Sequence, residues 1–163
     1  MRLIEGEAVF GSRIGEVGDR KYGMGGERLQ LVFMSDLDLV EDREARYGVT
    51  ERFKQFVLDV WAFCETVPNT PTGRNVVFQL TKSASSTGAN FRSAFRARSD
   101  KEYLAKLGIA EEEGDETCYW LDLARSYDKW ESIHQNANQL YEEADQLTAI
   151  IVSLIKRKKE KLK

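Results

Sequence analysis

Residues 79–121 read QLTKSASSTGANFRSAFRARSDKEYLAKLGIAEEEGDETCYWL, and the punctuation inside this stretch decides the fold. Ser99-Asp100-Lys101-Glu102 has the form of a capping box: the serine hydroxyl can accept from the Glu102 amide while the glutamate reaches back, so a helix starts here. Upstream, Val76, Val77, Leu80, Ala84, Phe91 and Phe95 recur at helical spacing and predict a helix over 72–96. Its centre, residues 83–89, is serine, threonine, glycine and alanine. Serine, threonine and glycine are indifferent or poor helix formers. The flanking periodicity carries the helix through them, and small side chains there let another helix come close. Downstream, Tyr103, Leu104, Leu107, Ile109, Ala110, Cys118, Tyr119, Leu121 and Leu123 predict a third helix reaching Tyr127.

Working outward, Phe53, Phe56, Val57, Val60, Phe63, Cys64 and Val67 lie at intervals of three and four and mark one apolar face of a first helix. Thr50 is its expected N-cap, and Pro68 with the following NTPTG ends it in a turn. A fourth helix is expected from near Glu131, carrying Ile133, Ala137, Leu140, Tyr141, Ala144, Leu147, Ile150, Ile151, Leu154 and Ile155. Four helices with short connections imply an all-α fold, an antiparallel up-down-up-down four-helix bundle over residues 49–163. Residues 1–48 hold eight of the twelve glycines, a density that opposes helix. They read as a flexible Gly-rich N-terminal arm. Met34 opens MSDLDLVEDREARYG, a natural protein start, so residues 1–33 read equally as a functional arm or as a leader.

The chain is long enough to bury a core. Its net charge of −3 argues against a protein that coats nucleic acid with its whole surface. The charges are nevertheless segregated. Residues 74–106 hold seven Lys/Arg against two Asp/Glu, residues 111–145 hold eleven acids against two bases, and residues 156–163 hold six bases and one acid. Such polarity makes a specific electrostatic face, or complementary faces between copies. Cys64 and Cys118 are too few for a disulfide framework. As buried free thiols in apolar helical surroundings they suit a reducing cytoplasm. No apolar run approaches a membrane span, and the N-terminus lacks the order of a secretory signal.

Enzyme constellations are missing from the sequence. A helical bundle can hold two irons with Glu-x-x-His pairs, but the one histidine, His134, makes a single such pair with Glu131 and reads as a solvent-edge residue. No metal or cofactor is expected. There is no P-loop, nucleophile elbow or Cys–His pair. Glu113 and Glu116 share a helix face. Without a nucleophile or pocket they read as a polar contact within the bundle or between subunits, with Gln79, Asn90 and bases of the preceding helix as candidate partners. Arg92, Arg96, Arg98, Lys101 and Lys106 are the candidate nucleic-acid-binding residues. Arg92 and Arg96 stand one turn apart, Arg98 lies in the turn, and Lys101 starts the next helix. Arginine forks suit phosphates. The alternative is a solvated turn, or ion pairs with the acidic helix of another copy.

Several of these motifs together resemble the 23S ribosomal-RNA intervening-sequence proteins, related to accessory proteins of diversity-generating retroelements. The resemblance rests on Gln79-Leu80, Ala89-Asn90-Phe91-Arg92, residues 98–103 (RSDKEY), residues 106–110 (KLGIA), Glu113 with Glu116-Thr117, and Trp120-Leu121, in that order and spacing over residues 50–157. It implies a bacterial homopentamer of four-helix bundles with no catalytic residues, and as partners RNA or DNA and a reverse transcriptase or ribonucleoprotein. Ser93 stands where relatives often carry an acid, and residues 49–163 hold 17 bases and 17 acids. The resulting expectation is a non-enzymatic, cytoplasmic, oligomeric RNA- or ribonucleoprotein-binding accessory protein. The alternative is a protein–protein scaffold whose charged helices serve oligomerisation only.

Overall fold

A computed structural model describes residues 43–163 of the chain. Of the N-terminal arm expected over residues 1–48, residues 1–42 lie outside the described residues, whereas residues 43–48 are not arm but the first turns of a helix. Four helices follow in order: α1 (Arg43–Cys64), α2 (Pro71–Ala94), α3 (Asp100–Ser126) and α4 (His134–Lys161). No strand occurs among the described residues. At about 1.5 Å per residue, 22 to 28 residues per helix make rods of comparable length. Neighbours in sequence pack side by side, α2, α3 and α4 most extensively. The fourth side closes where α1 meets α4. The result is the antiparallel four-helix bundle that the periodicity implies.

Two helix starts differ from the sequence expectation. Helix α1 begins upstream of Thr50, which is not its N-cap: Thr50 Oγ1 donates to the Arg46 carbonyl at 2.8 Å, an arrangement of a helix interior. Gly48 is carried inside this helix. At the other end of the chain, Asp128–Ile133 forms a 3-10 segment, so α4 proper starts at His134. Buried Trp130 departs from helical backbone (φ −118°, ψ 26°) and packs edge-on to Tyr127 at 5.2 Å. Seating this indole in the core bends the chain before α4. Helix α2 begins where a proline at the first helical position predicts: Thr70 caps it by accepting from the Gly73 amide at 3.0 Å.

The core follows the apolar stripes. Phe53 and Phe91 stack with ring centroids 3.9 Å apart, tying α1 to α2, and Phe95 and Tyr103 extend the aromatic line towards α3. On α3 the buried stripe is Leu107, Ala110, Gly114, Thr117, Leu121 and Ala124. Ile109, Tyr119 and Leu123, members of the apolar series that predicts this helix, are exposed. A hydrophobicity count skips Gly114 and Thr117, yet these are the positions that face inward.

Small residues set the helix spacing. A Cβ built on Gly114 would lie 2.6 Å from Thr148 Oγ1, so α3 and α4 touch almost backbone to side chain. Fully buried Ser83 and Thr117 hydrogen-bond across α2 and α3 at 2.8 Å. Thr117 Oγ1 also lies 2.8 Å from the Glu113 carbonyl, and two hydroxyl protons serve both bonds. Where α1 meets α4, Arg52 makes a bidentate bridge to Glu143 (2.7 and 2.8 Å) and donates to Gln146 at 2.8 Å. The run of small residues over 83–89 is helix, as expected, and its role is close approach.

These contacts separate two glycines of the same helix. Nothing lies within 4 Å of a Cβ on Gly108. Gly108→Ala is expected to stabilise the protein by about 0.5–1 kcal/mol through backbone entropy. Gly114→Ala is expected to destabilise it despite the same propensity gain, because overpacking costs about 1–3 kcal/mol and Thr148 is held by its bond to the Ala144 carbonyl. Thermal unfolding of both variants checks the opposite signs, and Thr148→Ala added to Gly114→Ala should recover most of the loss.

Candidate nucleic-acid interface

The bundle topology brings the start of α1, the α2–α3 loop, the start of α3 and the end of α4 to one end of the molecule. Two concavities open there and share Arg46 and Phe95. The first, about 610 Å³, caps the end and is lined by Arg46, Arg98, Tyr103, Arg157, Lys158 and Lys161, with Asp100 its one acid. The second, about 860 Å³, is a groove between α1 and α2. Its cations are Arg46, Lys54, Arg92 and Arg96, with Glu51 the one acid.

The cations are not equivalent. Lys158 pairs with Asp100 at 2.6 Å, closing α4 onto α3, and the Arg46 guanidinium sits 5.1 Å over the Phe95 ring. Lys54 pairs with Glu51 at 3.0 Å. The side chains of Arg92 and Arg96, both exposed, make no hydrogen bond or ion pair among the described residues. Burial pushes the Tyr103 hydroxyl above its ordinary value against the opposing charge of Arg46.

Of the five sequence-derived candidates, Arg92 and Arg96 therefore share the α1–α2 groove, while Arg98 belongs to the end concavity. Lys101 is exposed and lines neither. Lys106 turns to Glu102 at 3.9 Å. The five candidates do not share one surface, because Arg98 lies beyond the end of α2 and Lys101 and Lys106 follow the axis of α3. Arg46, Lys54, Arg157, Lys158 and Lys161 complete the basic surface from distant parts of the chain. The six bases of residues 156–163 were a visible signal, and an up-down-up-down topology returns them to the α2–α3 loop.

The helix cap within this surface differs from the expected box by one residue. Ser99 Oγ accepts from the Glu102 amide at 3.2 Å, but the Glu102 carboxylate accepts from the Arg98 amide at 2.9 Å rather than from Ser99. That bond, with the Arg98 and Lys106 charges, holds the Glu102 carboxyl below its ordinary value. A lowered folded-state value contributes order above the ordinary glutamate range, and the contribution disappears as pH falls through the lowered value.

The sequence profile of the 23S rRNA-intervening sequence proteins matches residues 46–153, covering all but the ends of the bundle. The chain belongs to this family. A solved structure from Bacteroides thetaiotaomicron, described as a protein of unknown function from the S23 ribosomal protein family, has the same fold. It is 25% identical, with a TM-score of 0.60, over 66% of this chain and 98% of that one. No curated protein matches the chain.

In this family member the paired acids of α3 divide their work. Glu116 reaches Lys82 of α2 at 3.7 Å and accepts from Trp120 Nε1 at 3.3 Å, so it is a contact within the bundle. Glu113 Oε2 is buried and meets no donor among the described residues. Asn90, an expected partner of these acids, instead donates to the Ser86 carbonyl at 2.9 Å, and Gln79 makes no side-chain hydrogen bond among the described residues. His134 Nε2 lies 2.9 Å from the Tyr127 carbonyl at the start of α4. Among the described residues no three His, Cys, Asp or Glu gather as metal ligands, and no helix is long and apolar enough to cross a membrane.

Both cysteines are free, Cys64 buried and Cys118 half-buried. Burial raises the Cys64 thiol. Burial, then the charge of Asp145, pushes Cys118 up to about 11. Since the thiolate is the reactive form, alkylation of native Cys118 by iodoacetamide is expected to be slow at neutral pH. Its rate should still climb above pH 10, where an unperturbed thiol near 8.5 has levelled off. Mass-spectrometric counting of modified Cys118 against pH checks this, and a midpoint near 8.5 would contradict it.

Proposed function

We propose that this protein is a non-enzymatic, cytoplasmic, oligomeric accessory protein that binds RNA, alone or within a ribonucleoprotein, through its basic end. The observation that carries the reading is the pair Arg92 and Arg96. They are exposed and unpaired among the described residues, and they sit beside a concavity ringed by further cations. An arginine pair one helical turn apart presents two forks to successive phosphates. Membership in a family named for an intervening sequence of 23S rRNA agrees with RNA as the ligand. DNA presents the same phosphates, and a reverse transcriptase is a candidate protein partner through the family's relation to retroelement accessory proteins.

The salt dependence of RNA binding tests this reading. Replacing Arg92 and Arg96 by alanine should lower the slope of log affinity against log salt by about one for each lost phosphate contact. Arg92→Glu with Arg96→Glu should abolish retention at physiological salt. Unchanged helical circular dichroism would show that the fold survives. No RNA binding by the unaltered protein at low salt would overturn the proposal.

A second reading has its own support. Phe78, Ile109, Tyr119, Leu123 and Val152 are large apolar side chains exposed on the outer faces of α2, α3 and α4. A scaffold would use these faces to assemble copies, as the family resemblance to homopentamers suggests. Light scattering of Tyr119→Lys with Leu123→Lys is expected to show a smaller particle than the unaltered protein. An unchanged mass would remove this face from the assembly.

A further inference from the structure

The groove between α1 and α2 is more than a row of cations, and we infer that it is a binding site for single-stranded nucleic acid, with Trp61 and Tyr47 as base-stacking platforms. This inference rests on the RNA-binding reading and specifies its ligand. On α1 the residues Tyr47, Glu51, Lys54, Leu58 and Trp61 line the groove. They are spaced by four, three, four and three, so they form one stripe about 21 Å long. On α2 the facing bank is Ser85, Gly88, Ala89, Arg92 and Arg96.

The two banks differ in height. A Cβ built on Gly88 would approach Val57 Cγ2 to 3.2 Å, so the helices nearly touch at the floor. Ser85, Gly88 and Ala89 leave space above that floor, and the long side chains of Lys54, Arg92 and Arg96 rise beside it. Trp61 crosses at the far end, donating from Nε1 to Ser85 Oγ at 3.2 Å. Its one polar atom is thus occupied, yet the side chain is 46% exposed. What it offers solvent is carbon ring surface, held in place by a hydrogen bond to the opposite bank. Tyr47, at the basic end, is 69% exposed. Unpaired arginines on one bank facing two exposed rings on the other match a strand that carries phosphates along one edge and bases along the other.

Single strands fit this arrangement better than a duplex. Stacking on an aromatic side chain needs an unpaired base, whereas double-stranded RNA is met through its backbone and minor groove. Rings add sequence-tolerant affinity because every base has a π-face. They do so without phosphate contact, so they leave the salt dependence alone. The cations supply the salt-dependent part.

The experiment is fluorescence anisotropy of the full chain with labelled oligouridylate and oligoadenylate, and with a blunt RNA duplex of the same length. The expected result is tighter binding of both single strands than of the duplex. Trp61→Ala and Tyr47→Ala should each weaken single-strand binding by at least about five-fold, the lower end of what one stacked base contributes, with an unchanged salt slope. Trp61→Phe keeps a ring and should recover most of the affinity, which separates stacking from a folding defect. If the alanine variants bind as the unaltered protein does, while Arg92→Glu with Arg96→Glu loses binding, RNA binding stands and the stacking groove is overturned. Equal affinity for duplex and single strand overturns it too. A changed particle mass in Trp61→Ala with unchanged RNA affinity assigns the groove to a second copy of the chain, again overturning it. Failure of the unaltered protein to bind any RNA defeats both proposals together.

Discussion

The bundle depends on how closely its helices can approach. At the α3–α4 contact the limit is Gly114 against Thr148, at α2–α3 it is Ser83 against Thr117, and at α1–α2 it is Gly88 against Val57. Small side chains at these points do more than avoid clashes. They let the larger residues on either side, Phe53, Phe91, Leu107 and Leu121, close over the contact and exclude water. The buried hydroxyls of Ser83, Thr87 and Thr117 cost nothing in unsatisfied polarity, because each meets a hydroxyl or a carbonyl within its own or the adjacent helix. Close spacing also fixes the angle and register at which α2 and α3 leave their loop. That register sets where Arg92, Arg96 and Arg98 stand.

Antiparallel packing has an electrostatic consequence at the basic end. Two helix N-termini, of α1 and α3, alternate there with two C-termini, of α2 and α4, so their dipoles oppose one another. The positive character of the end therefore comes from side chains. Part of it is internal to the fold: Lys158 serves Asp100, while Arg98 and Lys106 serve Glu102. Lys82 on the flank is engaged by Glu116. The neutral overall charge of the bundle thus does not describe its surface. Acids of α3 and its cap neutralise the cations that hold helices together and leave Arg92 and Arg96 on the outer face of α2.

Much of the architecture was legible in the sequence because it rests on local signals. The stripe from Phe53 to Val67, the Ser99 cap and the long apolar series of α4 each report on a single helix, and the helices formed where these signals stand. The failures share a cause. Thr50 resembles a cap only if the chain before it is not helical, and a threonine can equally bond back within a helix. Ile109, Tyr119 and Leu123 are apolar but lie off the inward stripe, which a composition-led reading of α3 could not see while Gly114 and Thr117 were counted as neutral. The site was less legible than the fold because its cations come from three separate helices and the α2–α3 loop. Arg92, Arg96 and Arg98 are adjacent in sequence and were visible. Arg46, Lys54, Arg157, Lys158 and Lys161 join them only through topology.

Trp61 shows what the sequence could not distinguish. On α1 it follows Val60, which is fully buried, and a tryptophan there reads as core by composition. The structure puts it one position round the helix, against Ser85 rather than under it. A serine on the facing bank is too short to cover an indole but long enough to hold its nitrogen. The same small-residue run that lets α2 pack tightly against its neighbours therefore leaves an aromatic surface uncovered on the α1 side, in the same groove as the two arginines whose side chains the fold leaves unpaired among the described residues. Tight packing and an open basic groove are two results of one choice of side-chain size along α2.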